Sequence, residues 1–299
     1  MTVTSDATSG KFIPQSAAEW TTLLAGSGIS NPSALWLCQE ASGNLADSIG
    51  AFTLTAGGTA AAYAQAVTGW STKGVTLSKG NPSNFISNSG SLPAINATSC
   101  MIFCWIKQPI VNAGLTEVSI ISFADPRNGT GMAAETNGGG ATNALKCISG
   151  ANTASGSLGL GGFFDGTVHP LIVQNDHTNS ASNVQSDLET VTATFGSFSS
   201  TKRLTLGGDN TGTTTWRSSG ATHLYMAMWT GSAAELDATH RTTLLSRMNT
   251  GPVASGGGRL AGASPLVQSG LVNSPLVNGA PSRLMKSRRD RYAQLQGGI

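Results

Sequence analysis

Seven short apolar runs, each closed by a turn cluster, govern what this chain can fold into. They are Ala34–Cys38, Ser99–Ile106, Val118–Phe123, Leu145–Ile148, His169–Val173, Arg203–Leu206 and Leu224–Trp229. Gly, Asn, Asp, Ser or Pro bound each run, so each reads as a strand. Parallel strands need crossovers of a dozen or more residues, usually helical, and no helical pattern lies between these runs. The spacing therefore predicts an antiparallel sandwich.

Composition agrees. The chain holds 38 Gly in 299 residues and only 11% charged residues, against roughly 25% charged in an ordinary soluble protein. Gly, Ser, Thr and Asn disfavour helix interiors, which excludes a long-helix protein. The 39% hydrophobic content, with six Trp and nine Phe, excludes a disordered chain. No run approaches the ~18 apolar residues of a membrane span. Met1-Thr-Val-Thr-Ser-Asp6 lacks a basic stretch followed by an apolar one, so no secretion signal is expected.

Two helices flank the strands. Ser16-Ala-Ala-Glu19 is a capping box that opens a helix bearing Trp20, Leu23 and Leu24, stopped by Gly26 and Gly28. Ser232-Ala-Ala-Glu235 repeats the device ahead of Leu236, His240, Leu244, Leu245 and Met248, and Gly251-Pro252 closes it. Arg241 and Arg247 fall toward its C-terminal half, where the helix dipole favours cations.

Three segments follow: 1–30 with the first helix, 31–250 as the sandwich, and 251–299 as an extended arm. Residues 1–250 carry 11 basic and 14 acidic side chains, and residues 251–299 carry six basic and one acidic. The arm is rich in Gly, Pro and Ser, and Ser264-Pro-Leu-Val267 is echoed by Ser274-Pro-Leu-Val277. It cannot bury enough surface to fold alone. It reads as a docking arm: Leu266, Val267, Leu271, Val272, Leu276 and Val277 are apolar anchors. Arg283, Lys286, Arg288, Arg289, Arg291 and Tyr292 form a basic end.

The residues with chemistry are sparse. Cys38, Cys100, Cys104 and Cys147 read as buried small hydrophobes, because Cys100 and Cys104 on one strand would lie ~13 Å apart, beyond disulfide reach. His169, His177, His223 and His240 are scattered, and Asp187-Leu-Glu189 is the nearest approach to a carboxylate strand, expected on a solvated strand or loop. Asp209-Asn-Thr-Gly212 reads as a hairpin tip, with calcium ligation the alternative. No catalytic residue, metal or cofactor is assigned.

Residues 34–249 resemble a concanavalin A-like jelly roll of the laminin-G type. The likeness lies in the order of motifs: Trp36, then Gly43–Gly50, Cys104-Trp105-Ile106-Lys107, Asp165-Gly-Thr-Val-His169, Leu204–Gly208, and a Tyr/Trp strand before a Ser-Ala-Ala-Glu helix. Val168 stands where the family commonly has Trp, and a Tyr-x-Asp-Gly turn is not recognisable near Ser186–Glu189. The resemblance implies a mainly β sandwich with a short helix at each end. Together with the low-charge composition it implies a non-enzymatic structural protein of a phage virion, a decoration, collar or fibre component made in the host cytoplasm. The arm would join it to other virion subunits in a homo-oligomer or symmetric assembly. The alternative is a carbohydrate- or receptor-binding module of a tail fibre, with Trp70, Trp216 and Tyr225 stacking on sugars. Nucleic-acid binding through Arg283–Arg291 ranks last, since only Tyr292 offers stacking nearby.

Overall fold

A computed structural model describes residues 1–57, 61–79, 85–87, 100–109, 118–125, 130–136, 144–149, 152–156, 162–176, 179–194, 204–208, 217–230 and 236–253. The docking-arm residues from Leu266 to Tyr292 lie outside them, as do Trp216, His177, Asp209–Gly212 and the Ser232–Glu235 box.

Two antiparallel sheets form. Before the first long strand come β1 (Ala34–Trp36), β2 (Leu54–Ala56), β3 (Ala62–Gln65), β4 (Gly74–Thr76) and β5 (Phe85–Ser87). The middle of the chain supplies β6 (Cys100–Lys107), β7 (Val118–Asp125), β8 (Thr130–Thr136), β9 (Leu145–Ser149) and β10 (Asn152–Ser155). The last group is β11 (Val168–Asp176), β12 (Ala181–Ser186), β13 (Thr190–Thr194), β14 (Leu204–Leu206), β15 (Arg217–Ser218) and β16 (Thr222–Thr230). The first sheet runs β13-β12-β11-β6-β16-β4-β3, with β1 also on β16. The second runs β10-β9-β8-β7-β14-β5-β2, with β15 lying parallel to β7. At the centre of the first sheet, Cys104 of β6 pairs with Leu171 of β11 on one side and Met226 of β16 on the other.

The sandwich interior takes alternate residues of the first sheet, among them Trp36, Ile102, Ile106, Leu171, Val173, Met226 and Met228, against Phe85, Ile121, Leu145, Leu204 and Leu206 of the second. The intervening residues do not meet water. Leu35, Met101, Phe103, Trp105, Ile172, Tyr225, Ala227 and Trp229 form a second core on the outer face of the first sheet. It is covered by Trp20 and Leu23 of α1 (Ala17–Leu23) and by Leu244 and Met248 of α2 (Ala238–Thr250). A strand buried on both faces needs apolar residues at every position. That explains the unbroken Cys-Met-Ile-Phe-Cys-Trp-Ile of β6 and Leu-Tyr-Met-Ala-Met-Trp of β16. The fold is therefore a jelly-roll sandwich with a third, partly helical layer.

The helix ends modify the sequence expectation. Ser16 Oγ accepts from the Glu19 amide at 3.3 Å, as a capping box requires. Glu19 instead reaches Thr4, taking its amide at 2.7 Å and its hydroxyl at 3.0 Å, and so ties down the leading chain. The second helix begins at Ala238, three residues beyond Glu235, because Asp237 caps it by accepting from the His240 amide at 2.9 Å. Its stop is as expected: Gly251 sits at φ +86°, and a Cβ there would come within 2.4 Å of the Phe12 ring.

All four cysteines are free and buried. Burial pushes the Cys100 and Cys147 thiols up to about 12, which keeps them protonated. Among the described residues no helix is long and apolar enough to cross a membrane.

Candidate ligand-binding site

The Asp165–His169 motif folds into a closed knot at the start of β11. His169 Nδ1 lies 2.8 Å from Asp187 Oδ1, and its Nε2 lies 3.1 Å from Asp165 Oδ1 and 3.0 Å from Thr167 Oγ1. Asp187 is exposed in the turn between β12 and β13, which is the loop alternative of the solvated strand-or-loop reading of Asp187–Glu189. Burial by itself would discharge the ring; the Asp187 and Asp165 carboxylates outweigh it and raise the histidine pKa. Both ring nitrogens are spent inside the knot, which leaves neither for a substrate. The cluster is a tie between loop and turn.

His223 differs. It is fully buried at the β16 end that pairs with Ile106 and Val75, and neither ring nitrogen has a partner among the described residues. Burial pushes its pKa down to about 3. Among the described residues no three His, Cys, Asp or Glu side chains come together in a way that could hold a metal ion.

Of the residues proposed to stack on sugars, Tyr225 is ruled out by position. It is 0% exposed, and its hydroxyl donates to the Pro14 carbonyl beneath the N-terminal segment. Alternation at β16 puts its ring in the second core rather than on the surface. Trp70 is half-buried, its ring 5.3 Å from that of Trp105. Close by in sequence, a cleft of about 390 Å³ is lined by Asp6, Gln15, Gln39, Ala64 and Ser71–Lys73. The one carboxylate among its described lining residues is consumed: Asp6 accepts from the amides of Thr8, Ser9, Ser71 and Thr72 and from the hydroxyls of Ser9 and Ser71. Those donors overcome the effect of burial and hold the carboxyl far below the usual range. Asp6 is thus a staple between the leading chain and residues 71–72.

A second cleft, about 360 Å³, opens where β11 and β12 meet the first turn of α2. Asp176 ends β11; Asn179 donates to its carboxylate from the backbone at 3.0 Å and from the side chain at 2.8 Å. Ser180, at φ +50°, turns the chain into β12, which contributes Asn183. Across the opening, Arg241 lies on the same helical face as Leu244 and Met248, and all three are buried. Its Nε donates to Gln185 Oε1 at 2.9 Å, and its Nη1 donates to Gln174 Oε1 and, at 3.4 Å, to the Leu236 carbonyl. Nη1 stands 4.0 Å from Asp176 Oδ2, and the two side chains are 7% and 5% exposed. Burial draws the guanidinium pKa down, against the pull of Asp176 and Asp237, and the group stays charged. Asn183 accepts from Thr192 through Oδ1 at 2.8 Å, so its side-chain NH2 is the part of the group that can donate. Asp237 and Thr239 form an exposed rim.

Sequence reasoning missed this cleft. It read Arg241 as a dipole partner and passed over Asp176 and Asn183. The available signal was a charged residue in register with Leu244 and Met248 on the apolar face of a helix, and a switch from apolar Leu171-Ile-Val173 to polar Gln174-Asn-Asp176 within one strand.

No protein-family model and no curated protein matches the chain. Solved structures do. Trypanosoma rangeli sialidase in complex with sialic acid superposes with a TM-score of 0.52 at 8% identity, over 77% of this chain and 35% of the sialidase. The binding domain of botulinum neurotoxin DC in complex with SialylT gives 0.48 at 11% identity, over 73% of this chain and 51% of that one. Domain 4 of AbnA, a GH43 arabinanase from Geobacillus stearothermophilus, in complex with arabinotriose, gives 0.43 at 16% identity, over 68% of this chain and 95% of that one. The chain spans about a third of the length of the sialidase it matches. Identities this low speak to the fold alone, and the fold is a concanavalin A-like, mainly β jelly roll.

Proposed function

We propose that the chain is a non-enzymatic carbohydrate-binding module and that the Asp176–Arg241 cleft is its sugar site. The observation that carries this reading is unspent hydrogen-bonding capacity in a preorganised pair. Among the described residues Arg241 Nη2 donates to nothing, while Asp176 retains lone pairs beyond those taken by Asn179. Sugar hydroxyls both donate and accept, so they complement a donor and an acceptor fixed side by side. The likeness to a sialidase described in complex with a sugar supports the reading at the level of the scaffold only.

A glycan array followed by calorimetry tests it. Thr239 is exposed at the rim, so Thr239→Trp fills the cleft without disturbing the core and should abolish binding. Asp176→Asn removes charge-assisted hydrogen bonds of ~1.5–3 kcal/mol, a loss of about 10- to 150-fold in affinity. Unchanged affinity in both variants refutes the site.

A second reading rests on residues 251–299, whose paired Ser-Pro-Leu-Val segments and basic end suit attachment to a larger assembly. In it the module is a component of a phage particle, and the arm docks it to other subunits. Replacing Leu266, Val267, Leu276 and Val277 by Asp should leave a folded sandwich that is missing from purified particles of the virus carrying it. Normal incorporation would refute the docking role.

A further inference from the structure

We infer that the Asp176–Arg241 cleft selects neutral sugars, reading a hydroxyl pair and turning away sugars that carry a carboxylate or phosphate; this rests on the cleft being a sugar site. Among the described residues three charged side chains line it: Asp176, Asp237 and Arg241. The wall is therefore net negative, although it contains an arginine. That arginine is committed on most of its donors. Nε and Nη1 hold Gln185, Gln174 and the Leu236 carbonyl, which among the described residues leaves Nη2. An anionic group wants the guanidinium fork, two parallel N–H donors. Here the fork is already spent on protein groups, and the approach to it passes two carboxylates.

A hydroxyl meets no such obstacle. The 4.0 Å between Arg241 Nη1 and Asp176 Oδ2 is longer than a direct hydrogen bond. An oxygen placed ~2.8 Å from the carboxylate can donate to it, and the donor that the guanidinium can still turn to such an oxygen is Nη2, since both Nη1 hydrogens are taken. Asn179 fixes the carboxylate from two directions, so little ordering remains to be paid on binding. Asn183 and Thr239, on opposite walls, offer groups for a second hydroxyl. The volume of about 360 Å³ is at the small end of the ~300–1,000 Å³ typical of ligand clefts. It suits one terminal sugar ring rather than the middle of a chain.

The test compares sugars that differ by one carboxylate, methyl glucoside with methyl glucuronide and methyl galactoside with methyl galacturonide. Neutral oligosaccharides and sialylated ones are run beside them, on the full-length protein by calorimetry at low and high salt. The expected result is binding of a neutral member with little salt dependence, and at least tenfold weaker binding of its acidic partner. Asp237→Ser keeps a helix cap but removes a charge. It should narrow the gap between the neutral and the acidic sugar, read as the ratio of their affinities within the same variant. An acidic sugar that binds as tightly as its neutral partner, and is lost in Thr239→Trp, overturns the selectivity while leaving the sugar site standing. Binding that survives both Thr239→Trp and Asp176→Asn, or no binding of any sugar, overturns the site and the selectivity together.

Discussion

His223 makes the stability of this protein depend on pH in a way that can be worked out in advance. It is buried, both ring nitrogens lack a partner among the described residues, and burial pushes its pKa in the folded chain down to about 3. In the unfolded chain it returns to ~6.5. Folding therefore forbids a proton that the unfolded state takes up, and stability is lost as pH falls below 6.5. At pH 5 the unfolded state gains about RT ln(1 + 10^1.5), or ~2 kcal/mol, a figure set almost wholly by the unfolded pKa. Replacing His223 by Met removes both the proton site and the unsatisfied nitrogens. The difference in unfolding free energy, His223→Met minus native, should then be ~2 kcal/mol larger at pH 5 than at pH 8. Urea titration followed by tryptophan fluorescence measures it. A difference that does not change with pH would mean the ring is solvated or paired in the folded state, and the reasoning would fail.

Two further outcomes bear on the other packed layers. Trp20, fully buried with its ring edge-on to Trp229 at 5.1 Å, should cost ~3–5 kcal/mol when cut to Ala, as a core residue does; a loss below ~1 kcal/mol in urea unfolding would show the α1 layer to be dispensable. His169 should act opposite to His223. Its folded pKa is raised, so the stability it contributes is full below ~6.5 and fades as pH rises through the raised value. His169→Asn should accordingly cost more at pH 6 than at pH 9, and an equal cost at both would dismiss the ion-pair tie.

The sheets were legible because burial writes itself into local sequence. β6 and β16 were visible as apolar runs with turn residues at each end. Their lack of alternation was a signal of the third layer that the sequence reading passed over, since a strand covered on both faces can be apolar throughout. The capping box at Ser16 placed α1 correctly, but nothing local told Glu19 to hold Thr4, fifteen residues away. The box at Ser232 placed the cap of α2 five residues early, because the Asp237 side chain takes that role by accepting from the His240 amide. Tyr225 illustrates the limit for function. An aromatic on a strand has the same sequence signature whether its ring faces a sugar or a helix, and only the tertiary layer decides. The cleft was less legible still. Arg241 meets Gln174 across 67 residues and Gln185 across 56, and no spacing rule reaches that far.

Arg241 offers the most direct way to separate architecture from function. A buried cation is a poor stabiliser, and replacing a whole buried polar cluster by apolar residues is often neutral or stabilising by 1–4 kcal/mol. Packing alone would be served better at this position by Leu or Met, which already occupy positions 244 and 248 of the same face. Removing only the arginine is another matter. Arg241→Met leaves Gln174 without its donor and Gln185 without its partner in the sheet beneath, and should cost ~3 kcal/mol. Adding Gln174→Leu and Gln185→Leu removes the stranded groups, and most of that stability should return. Sugar binding should not return with it. If the triple variant both refolds to native stability and binds as the native chain does, the arginine is packing and the cleft is empty of purpose. If stability recovers while binding stays lost, the buried charge is there for the ligand.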